Sequence, residues 1–308
     1  MYTFPIDNLS QMQEKLIKLS IPKNFSFKQT LSFLDRGFDD CLYTLTEHAV
    51  SRLIQLSDGK GLIHINQDKT YLTLRLQKEK ISNKNLKEVE SFVVEWFDLK
   101  RDITPFYILL NKHHQLANFP KTYAGSRLIG IPNLFEAICW AIIGQQINLT
   151  FAYKLKRLLV ERYGDKEIVN GHVYYTFPSP GALQLADRET LIAMQFSRQK
   201  ITYLQHISDA FVNSKINKTI LINSKNKNER IEKLTSIKGI GIWTANYVLM
   251  KSIRDMSCIT YGDSGLNKAL HLIFNIQKKP TKEEIDFIFK DFKNWESYLN
   301  FYLWKSLV

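Results

Sequence analysis

The segment LTSIKGIGIWTANYVLM, residues 234–250, constrains the fold more than any other part of this 308-residue chain. Apolar residues recur with helical spacing before the glycines, in IEKLTSI, and after them, in WTANYVLM. Only a few residues separate the two helices, so the connection has to be a tight turn. Gly239 and Gly241 suit it, because without a Cβ they take positive φ and let a ligand approach the main chain. The second helix begins at once, and its unsatisfied N–H groups point out of the turn. Leu234, Ile237 and Ile240 are spaced to anchor the hairpin inward, with Lys238 and the glycine amides facing out. Such a turn binds phosphate through main-chain donors, whatever the base sequence. Taken alone, two glycines so spaced fit an ordinary tight helix–helix connection better than a ligand site.

The rest of the chain divides by texture. Residues 49–57, 61–67 and 71–77 alternate apolar and polar side chains as half-buried strands do, and Asp58-Gly59 is a good hairpin turn. Residues 85–99 then read as an amphipathic helix packed on that antiparallel sheet. After Pro105 nearly every segment has helical period, with Pro132, Pro178, Pro180 and Pro280 as breaks. Residues 135–164 read as two apolar helices joined near Gly144-Gln145-Gln146, with Asn148 as an N-cap and Gly164 as a C-terminal stop. The expected fold is α+β: an N-terminal domain of antiparallel sheet with helices, residues 1–105, then a mostly helical domain, residues 106–308.

Charge narrows the partner. With 42 Lys+Arg against 30 Asp+Glu the formal net charge is +12, which points to a polyanion such as nucleic acid or an acidic membrane surface. A generically basic proteome explains the charge alone equally well. Cys41, Cys139 and Cys258 are too scattered for a thiolate metal centre and read as reduced cytosolic thiols. His113, His114 and His271 have no carboxylate or cysteine at ligand spacing, so no metal site is expected. No signal-peptide run and no apolar stretch of about 18 residues is present. A cytoplasmic protein without a membrane partner is expected.

The run Leu234-x-x-Ile237-Lys238-Gly239-Ile240-Gly241, followed by Trp243-Thr244-Ala245, resembles the helix-hairpin-helix of the HhH-GPD DNA-glycosylase superfamily. About twenty residues beyond Gly241 the chain reads ITYGDSGLNKAL, where the family pattern has a catalytic aspartate ahead of a helix. Residues 135–138, 143–146, 177–187 and 294–304 also look like parts of that domain. The resemblance runs from about residue 128 to the C-terminus and is nearest the alkylation-repair branch, DNA-3-methyladenine glycosylase II. It implies hydrolysis of an N-glycosidic bond in double-stranded DNA holding a damaged base, with no obligate protein partner. It implies DNA contacts at Lys238, Gly239, Ile240, Gly241 and Thr244, with Gln146 at the position of the wedge that fills the gap left by a flipped base. It also implies a monovalent cation at the hairpin carbonyls, and no other cofactor.

Base removal builds positive charge on the sugar, and a fixed carboxylate in a dry site stabilises it. Asp263 is the candidate, and as a helix N-cap it also has a purely structural explanation. Trp243 occupies the place where strand-cutting members of the superfamily carry a Schiff-base lysine, so a monofunctional hydrolase is expected. Alkylated purines carry positive charge, and aromatic faces attract it. Trp243 and Tyr247 share one helix face, and Trp304 falls where the family has another cleft aromatic; each equally suits a core position. Lys305 follows where a relative has an aromatic, and an inward lysine would repel a cationic base. Two other functions fit the motif: a non-catalytic helix-hairpin-helix DNA-binding module, and a glycosylase of the same fold for oxidised or mismatched bases.

Overall fold

The computed structural model describes residues 12–308. Five antiparallel strands, β1 (Gln13–Ser20), β2 (Thr44–Leu45), β3 (Ala49–Leu56), β4 (Gly59–Asp68) and β5 (Tyr71–Lys78), form a sheet in the order β1-β5-β4-β3-β2. The three expected strands are β3, β4 and β5. Period-two patterning puts Leu72, Leu74 and Leu76 of β5 on one fully buried face. Leu56 pairs with Gly59, so Ser57 and Asp58 form the turn, and Gly59 holds φ +131°. The expected helix is Asn83–Phe97, started by a reciprocal Ser82/Asn85 capping box. It buries Val89, Val93, Trp96 and Phe97.

From Thr104 onward helices dominate. Leu134–Ile143 is apolar all round and almost wholly buried. Leu149–Tyr163 starts at Asn148, whose Oδ1 accepts the Phe151 N–H at 2.8 Å. Gly164 ends that helix but is not the left-handed stop expected of it: its backbone is extended, at φ −79°. Glycine is needed there for space, since a Cβ would lie 2.3 Å from the Thr176 carbonyl. The chain has bent back through a small hairpin, β6 (Lys166–Val169) and β7 (His172–Tyr175), set in an otherwise helical region. Its turn is Asn170-Gly171, both with positive φ, a hairpin signal visible in NG.

Buried apolar side chains form one continuous core through sheet and helices. Two buried ion pairs tie the helices down, one to the sheet and one to the loop before β2. Arg52 of β3 meets Glu136 at 2.7 Å, and Lys156 meets Asp40 at 2.8 Å. Burial opposes the charge on Lys156, yet Asp40 and Glu136 hold its ammonium above the usual range. Removing one partner of such a pair leaves an uncompensated buried charge. Glu136→Leu is therefore expected to lower the unfolding free energy in urea titrations by about 3–5 kcal/mol, with Arg52→Met in the same chain recovering most of it. Full stability in the single variant would show that the pair does not join the two layers.

Candidate active site

The turn between helix Lys227–Thr235 and helix Ile242–Val248 has two glycines with different roles. Gly239 holds φ +102°, and a Cβ there would fall 2.4 Å from the Tyr203 ring. Both torsion and space demand glycine. Gly241 has φ −90°, which any residue adopts, and no atom within 4 Å of a built Cβ. The positive φ expected of it is absent, so the fold itself does not require glycine at position 241, and the main chain there is open to approach. Leu234 and Ile240 are buried beneath the turn, and Lys238 is exposed. The helix that follows has no side-chain cap, and its first intrahelical bond is Ala245 N–H to Gly241. The N–H groups of Ile242, Trp243 and Thr244 are thus the free ones at its start.

The second turn, at residues 144–146, comes up beside the first. Gln145 donates from Nε2 to the Gly239 carbonyl and to the Thr244 hydroxyl, both at 3.1 Å. Thr244 is 2% exposed, so its hydroxyl serves this internal clamp and not an outward contact. Gln146 is exposed and held at φ +57°, a conformation costing an ordinary residue roughly 1–2 kcal/mol. Gln146, Gly239, Ile240 and Gly241 share a cleft of about 550 Å³ with Tyr203 and Lys200. Desolvation brings the Lys200 ammonium down to about 8.

Asp263 stands at the mouth of helix Ser264–Phe274, half-buried. Its Oδ1 accepts the Leu266 N–H at 2.8 Å, which is the expected cap, and the Trp304 indole N–H at 2.8 Å. Oδ2 accepts only the Trp243 indole, at 3.3 Å. One oxygen is saturated and the other has lone pairs to spare. Among the described residues no lysine or arginine pairs with this carboxylate. The three expected aromatics do meet: Tyr247 stacks on Trp243 with centroids 5.5 Å apart, and Trp304 lies 6.1 Å from Tyr247. All three are half-buried. Lys305 turns away, donating to the Gln29 carbonyl at 3.1 Å beside Phe33. Burial, then Arg36, brings its ammonium down to about 8.

Two neighbours of the site were missed in the sequence. A Cβ on Gly265 would sit 3.1 Å from Asp263 Oδ1 and 3.2 Å from the Trp304 ring, so that glycine lets the indole close on the carboxylate. The second glycine of GDSG carried this signal. Gln145 carried none, since the clamp it makes exists only once residues 94 and 99 positions away fold against it.

Comparison with known proteins places this geometry. The family model described as HhH-GPD superfamily base excision DNA repair protein matches residues 139–294. The 8-oxoguanine DNA glycosylase N-terminal domain model matches residues 14–138. The DNA-3-methyladenine glycosylase of Bacillus subtilis (strain 168) is 32% identical over 295 residues, 95% of this chain and 97% of that one. Among solved structures, the 3-methyladenine DNA-glycosylase from Archaeoglobus fulgidus superposes with TM-score 0.81 at 24% identity, covering 94% of this chain and 97% of that one. The Clostridium acetobutylicum 8-oxoguanine glycosylase/lyase in its apo form gives TM-score 0.69 at 19% identity, covering 95% and 97%. The chain belongs to the HhH-GPD superfamily of base excision DNA repair proteins.

Gly239→Ala is expected to force the turn off Tyr203 and weaken binding to duplex DNA by about tenfold or more, a loss of 1.4 kcal/mol. The far-ultraviolet circular dichroism should be unchanged, and Tyr203→Ala should restore part of the affinity by making room. Wild-type affinity in Gly239→Ala would mean that the turn does not meet the strand.

Proposed function

We propose that this protein is a monofunctional DNA glycosylase that hydrolyses the N-glycosidic bond of alkylated bases, of the 3-methyladenine type. The observation that carries it is the Asp263 carboxylate, fixed by two indole N–H groups and a helix N-terminus within the same aromatic group. As the C1′–N bond stretches, positive charge grows on the sugar, and Oδ2, the less occupied oxygen, stabilises it and orients the attacking water. The cationic base leaves with its bonding pair as a neutral molecule, so a strong general acid is not needed. Trp243, Tyr247 and Trp304 offer ring faces to that base, with cation–π attraction on the order of 1–2 kcal/mol when desolvated.

The strand is gripped at the hairpin. Main-chain N–H groups of Gly239 and of Gly241 to Thr244, with the exposed Lys238, are placed for phosphate, and Gln146 for the gap in the duplex. The Ile237 carbonyl accepts Ile240 N–H, and the Gly239 carbonyl accepts Gln145, each at 3.1 Å. Each oxygen keeps a second lone pair, so these two would hold the monovalent cation the family implies, adding positive charge for a phosphate. The match to the 8-oxoguanine N-terminal domain favours a second reading, an oxidised-base enzyme. Against strand cutting by such an enzyme stands Trp243, which puts an indole where a Schiff-base amine would be.

Asp263→Asn keeps an N-cap side chain and removes the charge. Base release from methylated duplex DNA, followed by mass analysis, is expected to fall by at least about 100-fold with DNA affinity kept. Product strands of the unaltered protein should stay intact until alkali is added. A normal rate in Asp263→Asn would refute the catalytic role of the carboxylate, and direct nicking would refute monofunctional hydrolysis.

A further inference from the structure

Tyr247 also lines a small cavity of about 70 Å³ between the sheet and the helices. Its two carboxylates are committed, Asp40 to Lys156 and Glu136 to Arg52. Arg36, in the loop after helix Phe27–Leu34, has no acidic partner among the described residues. Its guanidinium lies 4.2 Å over the Phe33 ring and donates from Nη2 to the Tyr153 hydroxyl at 3.3 Å. The Nε groups of Arg36 and Arg52 are both buried donors without an acceptor. Leaving such a donor unsatisfied costs about 1–3 kcal/mol, and folded proteins keep few of them. The cavity is therefore rich in donors and has no carboxylate free to meet a cation.

This cavity lies next to the chemistry. Tyr247 stacks on Trp243, which bonds Asp263, and it lines the cavity together with Arg36. Tyr247 belongs both to the aromatic group and to this cavity, so a base stacked on Trp243 and Tyr247 would have the cavity and Arg36 at one edge. The space holds on the order of five waters, enough for a ring edge and too little for a whole purine.

We infer that Arg36 reads the far edge of the flipped base and favours one with a carbonyl oxygen there over one with an amino group. The inference rests on the glycosylase reading above and names the base it prefers. A C6 carbonyl, as in 7-methylguanine or hypoxanthine, accepts a guanidinium N–H; the positive charge of Arg36 repels 7-methylguanine and 3-methyladenine alike, so the choice between those two rests on this hydrogen bond. The C6 amino group of 3-methyladenine brings a second donor and leaves the first unpaired. The N-terminal half of the chain thereby becomes part of the specificity apparatus.

Arg36→Met keeps the apolar stem and removes the donors. On methylated duplex DNA it should lower the ratio of 7-methylguanine to 3-methyladenine released by about tenfold or more. Taking the ratio within one reaction cancels general damage to the enzyme. A second measurement needs no variant: with unaltered protein and methylated duplex DNA, free hypoxanthine should inhibit base release about tenfold more strongly than free adenine. An unchanged ratio in folded Arg36→Met, or equal inhibition by the two bases, overturns the role of Arg36 and leaves the glycosylase reading standing. No release of either base by the unaltered protein overturns both.

Discussion

A carboxylate fixed by neutral N–H donors is the constraint around which this molecule is arranged. Asp263 takes hydrogen bonds from three separate elements: the start of its own helix, the helix that leaves the hairpin, and the C-terminal helix Glu296–Lys305. Among the described residues no lysine or arginine pairs with it, so under the proposed mechanism its negative charge is available to a developing positive centre. The donors also fix its direction, because rotating the carboxyl would break the two 2.8 Å bonds on Oδ1. Gly265 gives this arrangement its room, since a Cβ there would crowd both the carboxylate and the Trp304 indole and ask them to shift by a few tenths of an ångström.

The proposed strand grip and the proposed wedge are mechanically one piece. Gln145 ties the turn at residues 144–146 to Gly239 and Thr244, and Lys200 ties the end of the first apolar helix, at the Ile143 carbonyl, to the helix Arg198–Val212. Tyr203, on that same helix, fills the space that glycine vacates at position 239. A strand phosphate held at the hairpin would therefore be in fixed register with Gln146 and with Trp243, the first residue of the aromatic group around Asp263.

What could be read in the chain followed the range of the interactions concerned. Period-two and helical patterns located β3, β4, β5 and the helix Asn83–Phe97, because those patterns depend on near neighbours. The hairpin and Asp263 were legible because each sits in a short motif of fixed spacing, IKGIG and GDSG. The edge strands β1 and β2 were not anticipated; β1 turns only Ile17 and Leu19 toward the core and β2 only Leu45, too short an inward pattern to mark a strand. The NG turn of β6 and β7 was visible and was outweighed by the helical texture around it. The inward clamp of Thr244 and the turn of the buried Lys305 toward Gln29 depend on residues 99 and 276 positions distant, which no local pattern encodes. Charge signalled a polyanion without saying where it binds.

The central claim is that the indole N–H groups hold Asp263 in its working direction, and one substitution isolates it. Trp304→Phe keeps an aromatic face and removes the N–H that bonds Oδ1. A hydrogen bond to a charged group contributes about 1.5–3 kcal/mol. Single-turnover base release at saturating enzyme should therefore slow by about tenfold or more, with affinity for abasic-site DNA unchanged. An unaltered single-turnover rate in Trp304→Phe would contradict the account, because the carboxylate would then need no such support.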